Sequence, residues 1–531
     1  MMGTQRTERK LFYVGFDLES RVRPGNPLRR ILEAIDFTFV RAEVADCYGE
    51  NGNVSVDPAV ILKMMFLLFY DDVSSERELM RIIPERLDYL WFLGYGLDDA
   101  IPGHSVLSKA KRRWGPEAFE RFFVETVRQC LEAGLVSGSK IHVDGSLVDA
   151  DASKDSVLKG PPEVIAALKE AYRAQEAKLD ELDEPDEVDE PEQDEKPPEG
   201  PAGRRSYEAK NARMVSTTDP DAPIVRQGTG ESRPRYKHHR VVDDAHGVVT
   251  AVATTPGDVK ENGELMTLVD QHERHTEREV EVVVADSQYG TVENFRACQE
   301  RGIRSHMADL SAKAAGTGRR RGIFKESAFI YDATSDTYRC PAGETLTRRR
   351  HRKARRSYEY AAGATTCAAC RLREQCTRAK KAGRTIKRHE DQETIDAARA
   401  QSHSAAAKRD RRRRKHLIEG SFADAANNHG FKRARWRRLW RQRIQDLLIA
   451  AVQNIRILLR RARRRSAAAA EALVQRRRPV GRFRHPLDGL RALGRPWGAL
   501  KAAFVPIRRR ATLRPPEPII AALETFWATR P

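Results

Sequence analysis

The chain has 531 residues, with 95 Lys or Arg against 76 Asp or Glu and a net charge of +19. Hydrophobic residues make up 40%, enough to bury a large core, yet no apolar run reaches the roughly 18 residues that span a bilayer. A charge of this size attracts polyanions, nucleic acid first, because Lys and Arg release counterions from phosphate. An anionic membrane surface is a poorer candidate, since the basic residues are spread over several segments rather than one amphipathic helix. Seven Cys in this length do not suggest a disulfide scaffold. The start MMGTQRTERKLFYVGF is charged but lacks the apolar stretch of a secretory signal, which points to the cytoplasm.

Residues 1–137 read as a helical domain. VDPAVILKMMFLLFYDD, SSERELMRIIPERLDYLWFLG and GPEAFERFFVETVRQCLEAG carry apolar residues at helical spacing. Between the last two, a Pro-Gly breaker precedes Ser105, a candidate cap for a short helix rich in Lys and Arg. Such a basic helix either enters a DNA groove or is an ordinary charged face.

A catalytic core is expected to begin at 138 and run to 317. SKIHVDGSLVDADAS alternates and is read as a strand. An insertion at 157–205 follows. Its residues 180–195, DELDEPDEVDEPEQDE, hold eleven acids and two prolines, so disorder is expected. YKHHRVVDDA and GVVTAVATTPG read as strands on either side of a turn. ENGELMTLVDQHERHT reads as a helix, EVEVVVADSQYG as a buried strand, TVENFRACQERG as a helix and IRSHMADL as a strand. Three strands, helix, strand, helix, strand make a mixed α/β sheet.

Residues 318–395 form a basic, loop-rich insertion. Residues 396–465 are helical and complete the core, and 466–531 form a basic tail of no assigned role. In WRRLWRQRIQDLLIAAVQNIRILLR, Trp440, Ile444, Leu447, Leu448, Ala451, Ile455 and Leu458 form one apolar stripe, with Arg437, Arg441 and Arg456 off it. Trp436 and Trp440 belong to a core or stack on a flipped base.

Two aspartates interrupt apolar strands: Asp144 in HVDGS and Asp286 at the end of VVVADSQYG. An unpaired buried carboxylate is costly, and carboxylates at strand ends suit a hard divalent cation. Either could instead be a solvated surface group. Glu419 shares a helix face with Arg412, Lys415 and Ala426. A surface ion pair with Lys415 is the plainer alternative for it. Cys340, Cys367, Cys370 and Cys376 supply four thiolates, the number structural Zn²⁺ prefers; free thiols are the alternative. Cys47, Cys130 and Cys298 read as core residues of helices.

Taken in order, HVDGS, YKHH with VDD and GVVT, VVADSQYG, and IEGSFADAANNHG resemble the DDE transposases of bacterial insertion sequences over roughly residues 40–460. The resemblance implies a ribonuclease-H-like fold in which Asp144, Asp286 and Glu419 converge on Mg²⁺ or Mn²⁺. The long separation between Asp286 and Glu419 matches the branch with an insertion before the last helix. It implies cleavage of double-stranded DNA at transposon ends and strand transfer into target DNA, by a homodimer on paired ends at the bacterial nucleoid. Arg412, Lys415, Lys432, Arg437 and Arg441 are then the expected DNA contacts. The sequence departs from the family at Arg412, where Tyr is usual, and at Ala426, where Lys is usual. A DNA-binding relic without chemistry and a stand-alone nuclease of the same fold are the alternative functions.

Overall fold

The computed structural model describes residues 2–3, 17–49, 54–181, 211–308, 322–379 and 382–476. The acidic run from 182 and the tail beyond 476 lie outside the described residues. Residues Met1–Ala469 form one compact unit.

The central sheet contains β1 (Lys140–Asp149), β2 (Ser232–Asp243), β3 (Val249–Pro256), β4 (Val282–Val284) and β5 (Arg304–Ser305). A short strand, Ile224–Arg226, adds to β2 as a sixth member. β1, β2 and β3 pair antiparallel through β2. β4 joins β1 in parallel, and β5 joins β4 in parallel. The sheet is mixed, as expected from the sequence, although IRSHMADL contributes only a two-residue strand.

Alternation along the strands divides the interior into two layers. Ile141, Val143 and Val241 pack on one side against α3 (Leu265–Thr276) and α4 (Val292–Glu300). Val148, Val242 and Val249 face the other side, where the N-terminal helices and the C-terminal helices meet.

The N-terminal part does not keep a core to itself. α1 (Pro58–Tyr70) is apolar on all faces and almost wholly buried, as its sequence requires. Its start is set by Asp57, whose carboxylate accepts from the Ala59 N–H, and by Pro58 in the first turn. Phe66, Phe69 and Phe122 share one cluster with Ile444, Leu448 and Ile455 of α7 (Leu439–Arg476). Five of the seven positions in the C-terminal apolar stripe are fully buried; Trp440 and Leu458 are packed against them at the edge.

α2 (Ser105–Glu132) is bent at Gly115, where φ is +64°, and Pro116 opens its second half. Ser105 is its first helical residue, not its cap. The basic helix read there is partly internal. Lys111 is only 1% exposed, pairs with Glu76 and lies 3.8 Å from the Trp436 ring, so it cannot reach a groove.

Two regions depart from expectation. The insertion begins with a strand, Val157–Lys159, and a helix, Pro162–Glu181, rather than as an unstructured run. AALKEAYRAQEAKL consists largely of strong helix formers, and the acidic composition that forbids packing starts only after it. The basic Cys-containing segment folds as a five-stranded antiparallel sheet between Ile330 and His389. Its strands are short and largely polar, and the longest carries Arg at three consecutive positions, Arg348, Arg349 and Arg350, which hides the period-two signal. Its buried hydrophobic cluster, among the described residues, is Phe329, Tyr338, Leu346, Tyr360 and Ile386. Cys47 also differs: it is exposed in a short 3-10 turn, whereas Cys130 and Cys298 are buried.

Candidate active site

β4 stops at Val284, paired with His142, while β1 continues to Asp149 with β2 on its other side. Asp144 lies two residues further along β1 and Asp286 two residues past the end of β4, near enough for the charge of Asp286 to act on Asp144. α6 (Ala405–Asn428) crosses both β1 and β4 and covers this point.

Asp144 is held from two sides. The Gly145 N–H donates to Oδ1 at 2.9 Å, and Arg414 Nη1 on α6 donates to Oδ2 at 2.6 Å. Its carboxyl is pushed above the usual range by burial; Arg414 and the Gly145 N–H oppose this, and the charge of Asp286 reinforces it. Asp286 accepts from the Gln288 N–H at 2.7 Å. Glu261 stands against the same strand and is raised too, by burial and then by Asp144 and Asp286, with Lys237 opposing. Neither Glu261 nor Lys237 carries a sequence signal, because each sits in a polar turn or an alternating strand where a charge is ordinary.

Glu419 lies on α6, five residues past Arg414, and is exposed. Among the described residues it joins no hydrogen bond or ion pair, and no three His, Cys, Asp or Glu side chains stand close enough to hold one ion. The structure thus brings Asp144 and Asp286 together and leaves Glu419 on the outer face of the covering helix. Arg414 supplies the positive group that meets Asp144.

The expected DNA contacts lie on exposed or half-exposed surface. Arg412 and Lys415 are exposed on α6. Lys432 donates to Ser146 Oγ at 2.7 Å, two residues along β1 from Asp144. Arg437 is 3.6 Å from Asp151 at the end of the same strand. Arg433, not singled out in the sequence, pairs with Asp151 at 3.2 Å. Arg441 lies over the Trp440 ring at 4.5 Å. Trp436 packs edge-on to Phe69 at 5.6 Å, which places it in the core rather than on a base.

The YKHHR run of β2 is a buried framework. The Arg240 guanidinium, opposite Asp144 in the β1–β2 register, is fully buried and pulled down to about 10 by that burial. It donates to His238 Nε2 at 2.9 Å, Ser421 Oγ at 2.7 Å and Gln453 Oε1 at 3.1 Å. His238 Nδ1 stands 3.1 Å from Asp446. One arginine therefore ties β2 to both α6 and α7, which fixes the helix that covers the site.

Far from this site along the chain, Cys340, Cys367, Cys370 and Cys376 line one cavity with Phe329 and Leu346. The Cys376 thiol is pushed up by burial and, after that, by the other three sulfurs, with Arg384 opposing.

Residues 16–113 match the family model described as "Transposase domain (DUF772)", and residues 339–459 match the one described as "Transposase DDE domain". Over these two stretches the chain is similar to the DDE transposases. The second match spans Glu419 and the whole Cys cluster. Among curated proteins none matches the chain. Solved structures with some likeness include the Mos1 transposase paired-end complex with left transposon end, 12% identical, with a TM-score of 0.15. The Mos1 strand transfer complex is also 12% identical, with a TM-score of 0.14. In both cases the match covers 50% of this chain and 64% of the other, so the chain spans less than two thirds of those proteins. No helix of the described residues is long and apolar enough to cross a membrane.

Proposed function

We propose that this chain is a metal-dependent transposase that cuts double-stranded DNA at transposon ends and joins the freed end to target DNA. The observation that carries this reading is the nearness of Asp144, midway along β1, to Asp286, just past the end of the parallel strand β4, beneath a helix inside the matched transposase DDE region. On this reading the central sheet is a ribonuclease-H-like core.

The residues fit a hard divalent cation such as Mg²⁺ or Mn²⁺. The donors are carboxylate oxygens, partly buried and mutually repelling, with Arg414 as the local positive group. Asp144 and Asp286 would hold the ion, and Glu419 completes the set on the strength of the resemblance. When bound, such an ion polarises a phosphate oxygen and makes an attacking water or hydroxyl more acidic. The chain's own groups orient the acids: the N–H groups of Gly145 and Gln288 fix the two aspartates. Arg414 meets the carboxylate of Asp144, so its guanidinium is positioned to meet a phosphate at the same site. Lys432 and Arg437 flank the strand that bears Asp144, and with Arg412, Lys415 and Arg441 they supply the backbone contacts. A homodimer acting on paired ends at the bacterial nucleoid belongs to this reading.

We further propose structural Zn²⁺ for the four cysteines that line one cavity; their sulfurs do not stand as a ready ligand group, so binding has to draw them together.

The test is Asp144→Asn, which keeps the side chain's size and removes one anionic ligand. Cleavage of DNA from the ends of the encoding element, in Mg²⁺, should fall by more than about 100-fold. Binding of the same DNA in a gel-shift titration should persist or tighten, because a charge that repels phosphate is lost. Normal cleavage by the variant would remove Asp144 from the metal site and with it the catalytic assignment.

A further inference from the structure

A cleft of about 410 Å³ lies between α6, the later part of α7 and the turn that joins β2 to β3. Four basic side chains line it: His246 from the turn, His416 from α6, and Arg460 and Arg461 from α7. All four are exposed. Among the described residues, the side chains of His246, His416 and Arg461 join no hydrogen bond or ion pair, and Arg460 donates only to the Arg456 carbonyl, at 3.2 Å. A cleft lined mainly by groups of one sign focuses its field and concentrates ligands of the opposite sign, so this one favours an anion.

The acid on the lining is Asp424, and it is already engaged. Its Oδ1 accepts from Asn428 Nδ2 at 2.9 Å and its Oδ2 from Gln453 Nε2 at 2.9 Å, with Arg456 Nη1 4.0 Å away. The fold thus meets this charge from within and leaves the four basic groups to a ligand. Gly420, also on the lining, is a second and independent sign. It lies in the interior of α6, where glycine weakens a helix relative to alanine. A Cβ there would meet nothing within 4 Å, so no packing contact in the protein calls for the missing side chain. A ligand laid against the helix backbone does call for it.

We infer that this cleft holds the phosphodiester backbone of one DNA strand, with a phosphate on His246, His416, Arg460 and Arg461 and a deoxyribose against Leu417 and Ile457, close over Gly420. This rests on the DNA-cutting reading given above. It adds a contact that none of Arg412, Lys415, Lys432, Arg437 and Arg441 provides. Phosphate and sugar are common to all sequences, so the cleft positions DNA along α6 without selecting bases. Glu419 is the chain neighbour of Gly420 and is exposed as well, so a strand seated here runs beside it.

The experiment is a fluorescence-anisotropy titration of labelled duplex DNA with the full-length protein at several salt concentrations. Arg460→Gln together with Arg461→Gln should weaken binding about tenfold, and the slope of log affinity against log salt should shrink by about one for the phosphate lost. Gly420→Phe fills the cleft without altering charge. It should shrink the slope by the same amount while thermal unfolding stays close to wild type, a response that general attraction to a basic surface does not produce. In the wild-type chain, bound DNA should slow modification of His246 and His416 by diethyl pyrocarbonate; that reading needs no variant and decides the matter if Gly420→Phe fails to fold. An unchanged slope for either variant, or undiminished modification of both histidines, would overturn the cleft and leave DNA binding elsewhere on the chain in place. A wild-type chain without salt-dependent DNA binding would overturn the DNA-cutting reading as well.

Discussion

Asp219 is fully buried and accepts from the Tyr236 hydroxyl at 2.7 Å through both carboxylate oxygens, with the Arg438 N–H nearby. Burial raises its carboxyl to about 6, and the Tyr236 hydroxyl opposes the rise. An unfolded Asp titrates near about 3.9, so the folded chain binds this proton more tightly. The resulting stability is complete below about pH 4 and is lost as pH rises through about 6. Asp219→Asn should abolish that part of the slope, a difference of at most about 3 kcal/mol between pH 4 and 7. Urea unfolding across this range is the measurement, and parallel curves for the two proteins would show that Asp219 does not titrate as described. Asp144 and Asp286 were legible because a charge breaking a Val-rich strand is hard to explain by packing. Glu261 and Arg414 were not, because each gains its meaning only from a neighbour more than a hundred residues away.

At the scale of elements, amphipathic periodicity served well where one face is apolar and one polar. The stripe of α7 and the alternation of β1 are examples, since core and solvent impose opposite demands on their two sides. It failed in the Cys-containing segment, where the strands are short and the small sheet buries few apolar side chains. So small a core needs an additional staple, and four sulfurs lie in one cavity beside it. Elemental analysis of the purified chain should find about one Zn²⁺ per molecule, as expected for a four-thiolate site. Cys370→Ser should lower that content and unfold the sheet at a lower temperature. A zinc-free chain that melts like its Cys370→Ser variant would leave four free thiols. The bend in α2 has a simpler cause: Gly115 tolerates a positive φ and Pro116 starts a new helix, and Gly-Pro at the middle of an apolar pattern was readable as a break.

Over the whole molecule, the net charge of +19 is the property that DNA would meet first. Arg437→Ala together with Arg441→Ala should weaken DNA binding across all sequences, and the slope of log affinity against log salt should shrink by about one per lost phosphate contact. Cleavage should recover when excess protein drives binding. Gel shifts at several salt concentrations, beside the cleavage assay, give both readings, and an unchanged slope would take these arginines off the DNA. Residues 1–137 were expected to form a helical N-terminal DNA-binding domain; their buried side chains share one cluster with Ile444, Leu448 and Ile455. The sequence by itself determined the basic character, the mixed α/β order and two aspartates that interrupt apolar strands, because these depend on composition, local periodicity and the cost of burying a lone charge. Only the tertiary structure decided that Arg414 meets Asp144, that His246, His416, Arg460 and Arg461 line one cleft, and that Glu419 faces outward. Those facts depend on how distant segments are brought together, and no local pattern along the chain encodes that distance.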